Sequence, residues 1–113
     1  MVVSNDIFRK LALSFPETEE LPHFHLVSFR VRKKIFCTLN EKENRAMVKL
    51  SPEDQSVFIL INPAIFYQVP GKWGQSGATY IELKKINLPM IKDAMRAAYC
   101  NIAPSALGDS FKR

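Results

Sequence analysis

The sequence predicts an α+β protein in which helices cover one face of an antiparallel sheet. Three observations favour this class: a short amphipathic segment near the N-terminus, apolar side chains that alternate at every second residue from about position 24, and a long apolar stripe at helical spacing near the C-terminus. The predicted order, α-β-β-β-α-β-β-α, is typical of a sheet with helices on one face. With 113 residues, 47% of them hydrophobic, we expect one globular domain spanning residues 1–113.

Residue types at fixed positions indicate the first helix and its exit. Ser4 is a suitable N-cap, because its hydroxyl can accept a hydrogen bond from a free N–H of the first turn. The helix should end before Pro16, since the residue that precedes a proline avoids the helical region. We expect the acidic segment 17–20 to form a surface loop that ends at Pro22.

Alternation next predicts three strands, followed by a second helix. The predicted strands lie near residues 24–31, 35–39 and 46–50, with a charged, turn-rich loop at 40–45. Ser51 and Pro52 are a strong helix start, because serine caps a helix and proline fits its first position. This helix should end near Asn62 and Pro63.

The second half of the chain contains an ambiguous run, a glycine-rich loop, a strand and a helix. Residues 63–69 are apolar but too few to assign by periodicity, and three glycines then punctuate a loop around Trp73. Residues 78–83 predict a strand. The final helix has Asn87 as its cap and Pro104 beyond its end. Its apolar stripe consists of Leu88, Ile91, Met95, Ala98, Tyr99 and Ile102.

Positive charge is concentrated in one predicted hairpin. The formal net charge is +5, and residues 30–49 alone hold seven cations and two anions. On the first strand of the hairpin, two apolar residues would face the core. Arg30 and Arg32 alternate with these apolar residues along the strand and would therefore face outward. Lys33 and Lys34 would form the turn. Such a surface attracts phosphate groups, although a solvated strand face shows the same pattern.

The sequence therefore predicts a nucleic-acid contact surface made of cations and one tryptophan. Its members are Arg30, Arg32, Lys33, Lys34, Lys49, Lys72 and Trp73. Trp73 can stack on an unpaired base as a second wing, or it can pack over the sheet edge, which is the favoured alternative. The glycines around Trp73 match neither phosphate-cradling pattern, so no nucleotide cofactor is predicted.

The sequence predicts neither a metal site nor a catalytic site. His23 and His25 would share a face of an extended strand, but a zinc site needs three or four ligands and no further ligand is indicated. A Cys37–His25 nucleophile pair is conceivable across neighbouring strands. Cys37 is expected to face the core, however, where burial keeps a thiol inert. We therefore expect a non-catalytic protein without a cofactor.

The composition favours a cytoplasmic protein. Two cysteines, Cys37 and Cys100, do not make a disulfide framework. Asp6 and Arg9 interrupt the apolar N-terminal residues, so no signal peptide is predicted. No segment approaches about 20 consecutive apolar residues, so no membrane span is expected.

Several segments, taken in order and with their spacing, resemble the MmcQ/YjbR-like family of small bacterial proteins. They are FRVRKKIFCTL at 29–39, VKLSPED at 48–54, PAIFY at 63–67, GKWG at 71–74, TYIEL at 79–83 and AAY at 97–99. The resemblance implies a two-layer α-β(3)-α-β(2)-α fold similar to that of secretion chaperones. It also implies a double-wing DNA-binding motif, and it supplies no catalytic residues.

Two functions follow from the residues and the resemblance. The first is DNA binding through the cationic hairpin, mostly by phosphate contacts. The second is a protein-interaction module with a protein partner or a second copy of the chain. An exposed apolar run at 64–67 would favour the protein partner, and outward basic side chains favour DNA. No motif distinguishes single-stranded from double-stranded DNA.

Overall fold

An antiparallel sheet with helices packed against one face forms the framework of the molecule. The computed structural model describes residues 3–109. Its helices are α1 (Asn5–Leu13), α2 (Pro52–Ile61), α3 (Lys72–Gln75), α4 (Leu88–Ile102) and α5 (Ser105–Gly108). Its strands are β1 (Thr18–His23), β2 (Leu26–Val31), β3 (Lys34–Asn40), β4 (Arg45–Lys49), β5 (Phe66–Gln68) and β6 (Ala78–Glu82). Within residues 3–109 the sheet order is β1-β2-β3-β4-β6-β5, and all neighbours are antiparallel.

The predicted α+β class with helices on the sheet is confirmed. Helix α4 packs across β3 and β4, α1 packs against β3, and α2 packs against β5. Alternate residues of the strands point under these helices and are almost completely buried, which removes their apolar surface from water. They include Phe29, Val31, Cys37, Leu39, Ala46, Val48 and Ile81.

The three predicted helix caps are present. At Ser4, Ser51 and Asn87 the side-chain oxygen accepts a hydrogen bond from the backbone N–H three residues later, at 3.1, 3.1 and 2.9 Å. Each bond satisfies a donor that has no partner inside its helix. Helix α1 ends at Leu13, ahead of Pro16, as predicted.

The acidic segment after α1 is a strand, so the predicted surface loop is wrong. β1 pairs with β2 along its whole length, from Thr18 opposite Val31 to His23 opposite Leu26. Because glutamate and proline are depleted in strands, the sequence pattern did not indicate this strand. β1 is the edge of the sheet, and an edge strand tolerates Pro22 because one row of its backbone groups needs no partner.

The first predicted strand, near 24–31, is shorter than expected. Phe24 and His25 form the turn between β1 and β2, and Phe24 has a positive φ of 58°. His23 therefore closes one strand while His25 lies in the turn. The expectation that the two histidines share a face of one strand is wrong.

A bulge in β3 directs two successive residues into the core. Phe29 is opposite Cys37, whereas Arg30 is opposite Ile35, so Phe36 is an extra residue on β3. Phe36 and Cys37 are both fully buried. A bulge of this kind bends its strand and increases the local twist.

The ambiguous run and the glycine-rich loop both contain regular structure. Residues 63–69 include the three-residue strand β5, and the loop around Trp73 contains the one-turn helix α3. Gly77 makes the return from α3 possible. Its φ is +120°, and a Cβ there would lie 1.8 Å from the carbonyl oxygen of Leu50.

The sheet face turned away from α1, α2 and α4 is called the open face below. Cross-strand partners lie on the same face, so the register identifies its members. They are Glu19, Leu21, His23, Leu26, Ser28, Arg30, Ile35, Thr38, Asn40, Arg45, Met47, Lys49, Tyr67, Ala78, Tyr80 and Glu82. A small apolar cluster of Met47, Val69 and Ala78, packed against Ile35 and Tyr80, stabilises this face.

Candidate nucleic-acid interface

Arg32 and Lys33 form the two-residue turn that joins β2 to β3, so the predicted turn of Lys33 and Lys34 is wrong by one residue, and Lys34 begins β3. Both turn residues have positive φ, 47° and 71°, as a type I′ turn requires. That turn matches the twist of the paired strands, but a residue with a Cβ is strained in it, by about 1–2 kcal/mol each. Both side chains are exposed, so the strained turn carries positive charge at the end of the hairpin.

The two hairpin arginines have different surroundings. Arg30 lies half-buried on the open face, where its Nε donates to the hydroxyl of Ser28 at 3.0 Å. Arg32 donates from Nε and one terminal nitrogen to the two carboxylate oxygens of Glu17, at 3.0 and 3.2 Å. These hydrogen bonds lower the pKa of Glu17. Glu17 therefore neutralises Arg32, and Arg30 and Arg32 do not form the continuous outward row that the sequence predicts.

Lys33 and Lys34 remain as exposed charges at the turn. In the stretch 3–109, no carboxylate lies within 4.0 Å of either ammonium group. Lys34 is the cross-strand partner of the core residue Val31, so it leaves the sheet on the opposite side from Arg30. The two lysines consequently present charge around the tip of the hairpin rather than on one face.

Lys49 and Trp73 connect the open face to α3. The Nζ atom of Lys49 lies 5.1 Å from the centroid of the Trp73 ring, a cation–π contact. The indole remains 43% exposed, and Lys72 beside it is exposed as well. The ring thus lies against the side of the sheet, which fits the packing alternative, while its free surface stays accessible beside two cations.

A cluster that the sequence analysis did not single out occupies the other end of the open face. The guanidinium carbon of Arg45 lies 4.1 Å from the centroid of the Tyr80 ring, and the Tyr80 ring lies 5.5 Å from that of Tyr67. The Tyr67 hydroxyl donates to the Glu82 carboxylate. Burial and this hydrogen bond raise the pKa of Tyr67. The signal in the sequence was the alternation of Arg45, Met47 and Lys49, three long side chains on one side of β4.

A cavity of about 130 Å³ opens beside this cluster. Its wall includes Leu26, Met47, Tyr80, His25, Thr38, Asn40 and Arg45. The neighbouring turn carries Phe24, whose residue surface is 91% exposed. The sequence analysis placed Phe24 at the start of a strand, and its exposure arises only because the chain reverses there.

The candidate catalytic pair is divided between the two sides of the sheet. Cys37 is fully buried under the helices, as predicted, and burial raises its pKa well above the usual range for a thiol. His25 lies in the exposed turn beside the open-face cavity. Among residues 3–109 there is no group of three or more histidine, cysteine or acidic side chains that could hold a metal ion.

A groove of about 560 Å³ lies between α2 and α4, on the side of the molecule opposite the open face. Val57, Leu60 and Ile61 on α2 are 55%, 84% and 61% exposed, whereas in the run 64–67 Ile65 and Phe66 are buried. The run 64–67 therefore offers little exposed apolar surface, and such surface lies on α2. In the part of the chain that the structure describes, no helix has the length and apolar character needed to cross a bilayer.

The fold and this surface define a small α+β protein with one helix-covered face and one open, partly basic face. The family model YjbR matches residues 13–101, and the chain belongs to this family. Among solved structures, it is similar to the Deinococcus radiodurans protein DR2400, whose family-model domain is DUF419. The TM-score is 0.78 at 13% identity, over 97% of this chain and 88% of that one. A comparison with curated proteins gives no match.

Proposed function

We propose that this protein is a cytoplasmic, non-catalytic DNA-binding protein that docks through the β2–β3 hairpin. The observation that carries the proposal is the pair Lys33 and Lys34, adjacent, exposed and without a carboxylate within 4.0 Å among residues 3–109. Ammonium groups in this position attract phosphates, and the release of counterions from DNA then drives binding.

Arg30 and Lys49 extend the contact from the hairpin tip onto the open face. Both are half-buried, which limits the freedom that their side chains lose on binding, and neither makes an ion pair within the described residues. Arg32 would contact DNA only if a phosphate replaced Glu17 as the partner of its guanidinium group. Lys72 and Trp73 form the second wing, with the free face of the indole available to the backbone or to a base.

The direct test is fluorescence anisotropy with a labelled 20-base-pair duplex at several salt concentrations. If Lys33, Lys34, Arg30 and Lys49 neutralise four phosphates, log affinity falls against log salt with a slope of about −3.6. The double variant Lys33→Glu/Lys34→Glu should then lose binding at low salt and keep its fold, because Lys33 is exposed in the turn and Lys34 is exposed at the start of β3.

The chain provides a matched control for this experiment. Lys84 and Lys85 are also adjacent, exposed lysines that follow a strand, and they lie at the opposite end of the sheet. Lys84→Glu/Lys85→Glu changes the net charge by the same amount and should retain most of the affinity. Equal losses in the two double variants would show attraction to net charge alone and would exclude the hairpin as the docking element.

A protein-interaction module is the second candidate, and α2 is the observation that favours it. The second half of α2, residues 57–61, is entirely apolar, and an apolar helix surface of this kind is normally covered by protein. Here three apolar residues of α2 are more than half exposed, beside a groove whose rim carries Asp54 and Arg96. A protein partner or a second copy of the chain would cover this surface, independently of any contact at the open face.

A further inference from the structure

The open-face cavity has the size for one small ring. Its volume is about 130 Å³. A dry protein cavity of about 150 Å³ is known to take up benzene, so the space corresponds to a single six-membered ring. The side chains of Leu26 and Met47 supply apolar contacts, and Tyr80 supplies an aromatic one. A larger fused ring system would not be enclosed.

The polar groups of the cavity favour a ligand with hydrogen-bond acceptors. Among the described residues that line it there is no carboxylate. The Arg45 guanidinium pairs with Glu43 at 3.0 Å through one terminal nitrogen, and its buried Nε atom lacks a hydrogen-bond partner within the described chain, which is costly unless the side chain shifts so that a ligand or solvent accepts from it. Thr38, almost fully buried, and Asn40 add a hydroxyl and an amide to the same wall.

The Phe24 ring provides a second flat surface, in the turn beside the cavity. It is 91% exposed, and it lies in the turn next to His25, which lines the cavity. The contact of its ring with His23, at 4.9 Å between centroids, fixes the direction in which it extends. An exposed phenylalanine at positive φ is unfavourable for folding, and strain of this kind is concentrated at binding sites.

We propose that this cavity holds the ring of one unpaired pyrimidine of a single-stranded nucleic acid, with the next base stacked on Phe24. The carbonyl oxygens of the pyrimidine accept from Arg45 and its neighbours, and the ring rests against Tyr80. A base inside a duplex is stacked and paired and cannot enter. This inference rests on the proposed nucleic-acid function. It adds that the bound nucleic acid is single-stranded at this site and that the bound base is a pyrimidine.

The position of the cations along the open face fits a strand that leaves the cavity toward the hairpin. Arg45 and Lys49 lie on the same side of β4, four residues apart, or about 13 Å at the usual rise of a strand. Lys49 is the next cation along the face, and Arg30 and the hairpin tip lie beyond it. The base would bind at one end of the face and the phosphates that follow it at the other.

The test is fluorescence anisotropy with three labelled ligands of equal length: oligo-dT, oligo-dA and the 20-base-pair duplex. Phe24→Asn removes the ring and keeps the positive φ, which asparagine tolerates. Arg45→Lys keeps the charge but removes Nε. Leu60→Asn removes a comparably exposed apolar side chain from α2 and serves as the control.

Oligo-dT should bind at least tenfold more tightly than oligo-dA. Phe24→Asn and Arg45→Lys should each weaken oligo-dT binding roughly tenfold, the loss expected for one stacked base, with duplex binding and the Leu60→Asn control unchanged. Equal affinity for the three ligands, or no effect of Phe24→Asn, overturns the pyrimidine site but leaves duplex binding by the hairpin in place. Absence of binding to any nucleic acid overturns both.

Discussion

At the scale of single residues, Gln55 determines where the Trp73 part of the interface lies. Its side chain is buried, and its amide nitrogen donates to the carbonyl oxygens of Gly74 and Ala78, at 2.9 and 3.0 Å, and to the Thr79 hydroxyl, at 3.1 Å. These bonds join α2 to α3 and to the start of β6. A buried residue of α2 thereby positions the indole beside Lys49.

Gln55→Met should lower the free energy of unfolding by about 1–2 kcal/mol, because the hydrogen bonds disappear while the volume is nearly preserved. Urea denaturation measures this change. Ser56→Ala is the control on the exposed side of the same helix, where a hydroxyl bonds only to the Pro52 carbonyl, and its effect should be within about 0.5 kcal/mol. Equal stability of Gln55→Met and the unmodified protein would show that the three bonds do not hold α3.

At the scale of elements, the β2–β3 hairpin combines positive charge with local strain. Asparagine followed by glycine is the usual choice for a two-residue type I′ turn, and this chain has Arg32 and Lys33 there instead. The charged pair reduces stability and supplies charge to the surface. A loss of stability that accompanies a special side chain is characteristic of binding sites. Strained backbone persists there because the surrounding structure holds it in place.

Two single variants separate strain from charge in this hairpin. Lys33→Gly relieves the positive φ and should raise the free energy of unfolding by about 0.5–1 kcal/mol, whereas Lys34→Gly places glycine in a strand and should lower it by a similar amount. Each removes one cation, so each should reduce the salt slope of DNA binding by about 1. Urea denaturation and anisotropy measure the two effects. A loss of stability in Lys33→Gly would contradict the strain argument.

At the scale of the whole molecule, the sequence predicted elements whose signals are local. Caps at Ser4, Ser51 and Asn87 and the stripe of α4 need only neighbouring residues to be recognised. β1 could not be found in this way, because its glutamates and proline become a strand only through pairing with β2. Long-range pairing thus overrode local propensity.

The candidate site was predicted less completely than the fold, for the same reason. The sequence located the cations of the hairpin, but the pairing of Arg32 with Glu17 depends on β1. The Arg45–Tyr80 contact joins residues on different strands, and the exposure of Phe24 requires the unforeseen turn. Side chains that meet across a sheet are identified only when the register is known.

The exposed apolar surface of α2 makes a prediction about the oligomeric state. If a second copy of the chain covers this surface, sedimentation equilibrium should show association that grows with protein concentration, and Leu60→Glu should abolish it by placing a charge in the contact. Phe24→Asn, which alters an exposed apolar residue on a different part of the molecule, should associate like the unmodified protein. A monomer at all concentrations would exclude the homodimer.

The two edges of the sheet bear on how copies of this chain can assemble. β1, at one edge, presents glutamates and Pro22, and β5, at the other, has three residues and packs beside α2. Charge, proline and a very short strand are the devices by which natural sheets prevent further strands from adding to them. Growth of the sheet from one molecule to the next is therefore blocked at both ends. Sheet edges protected in this way disfavour fibril formation.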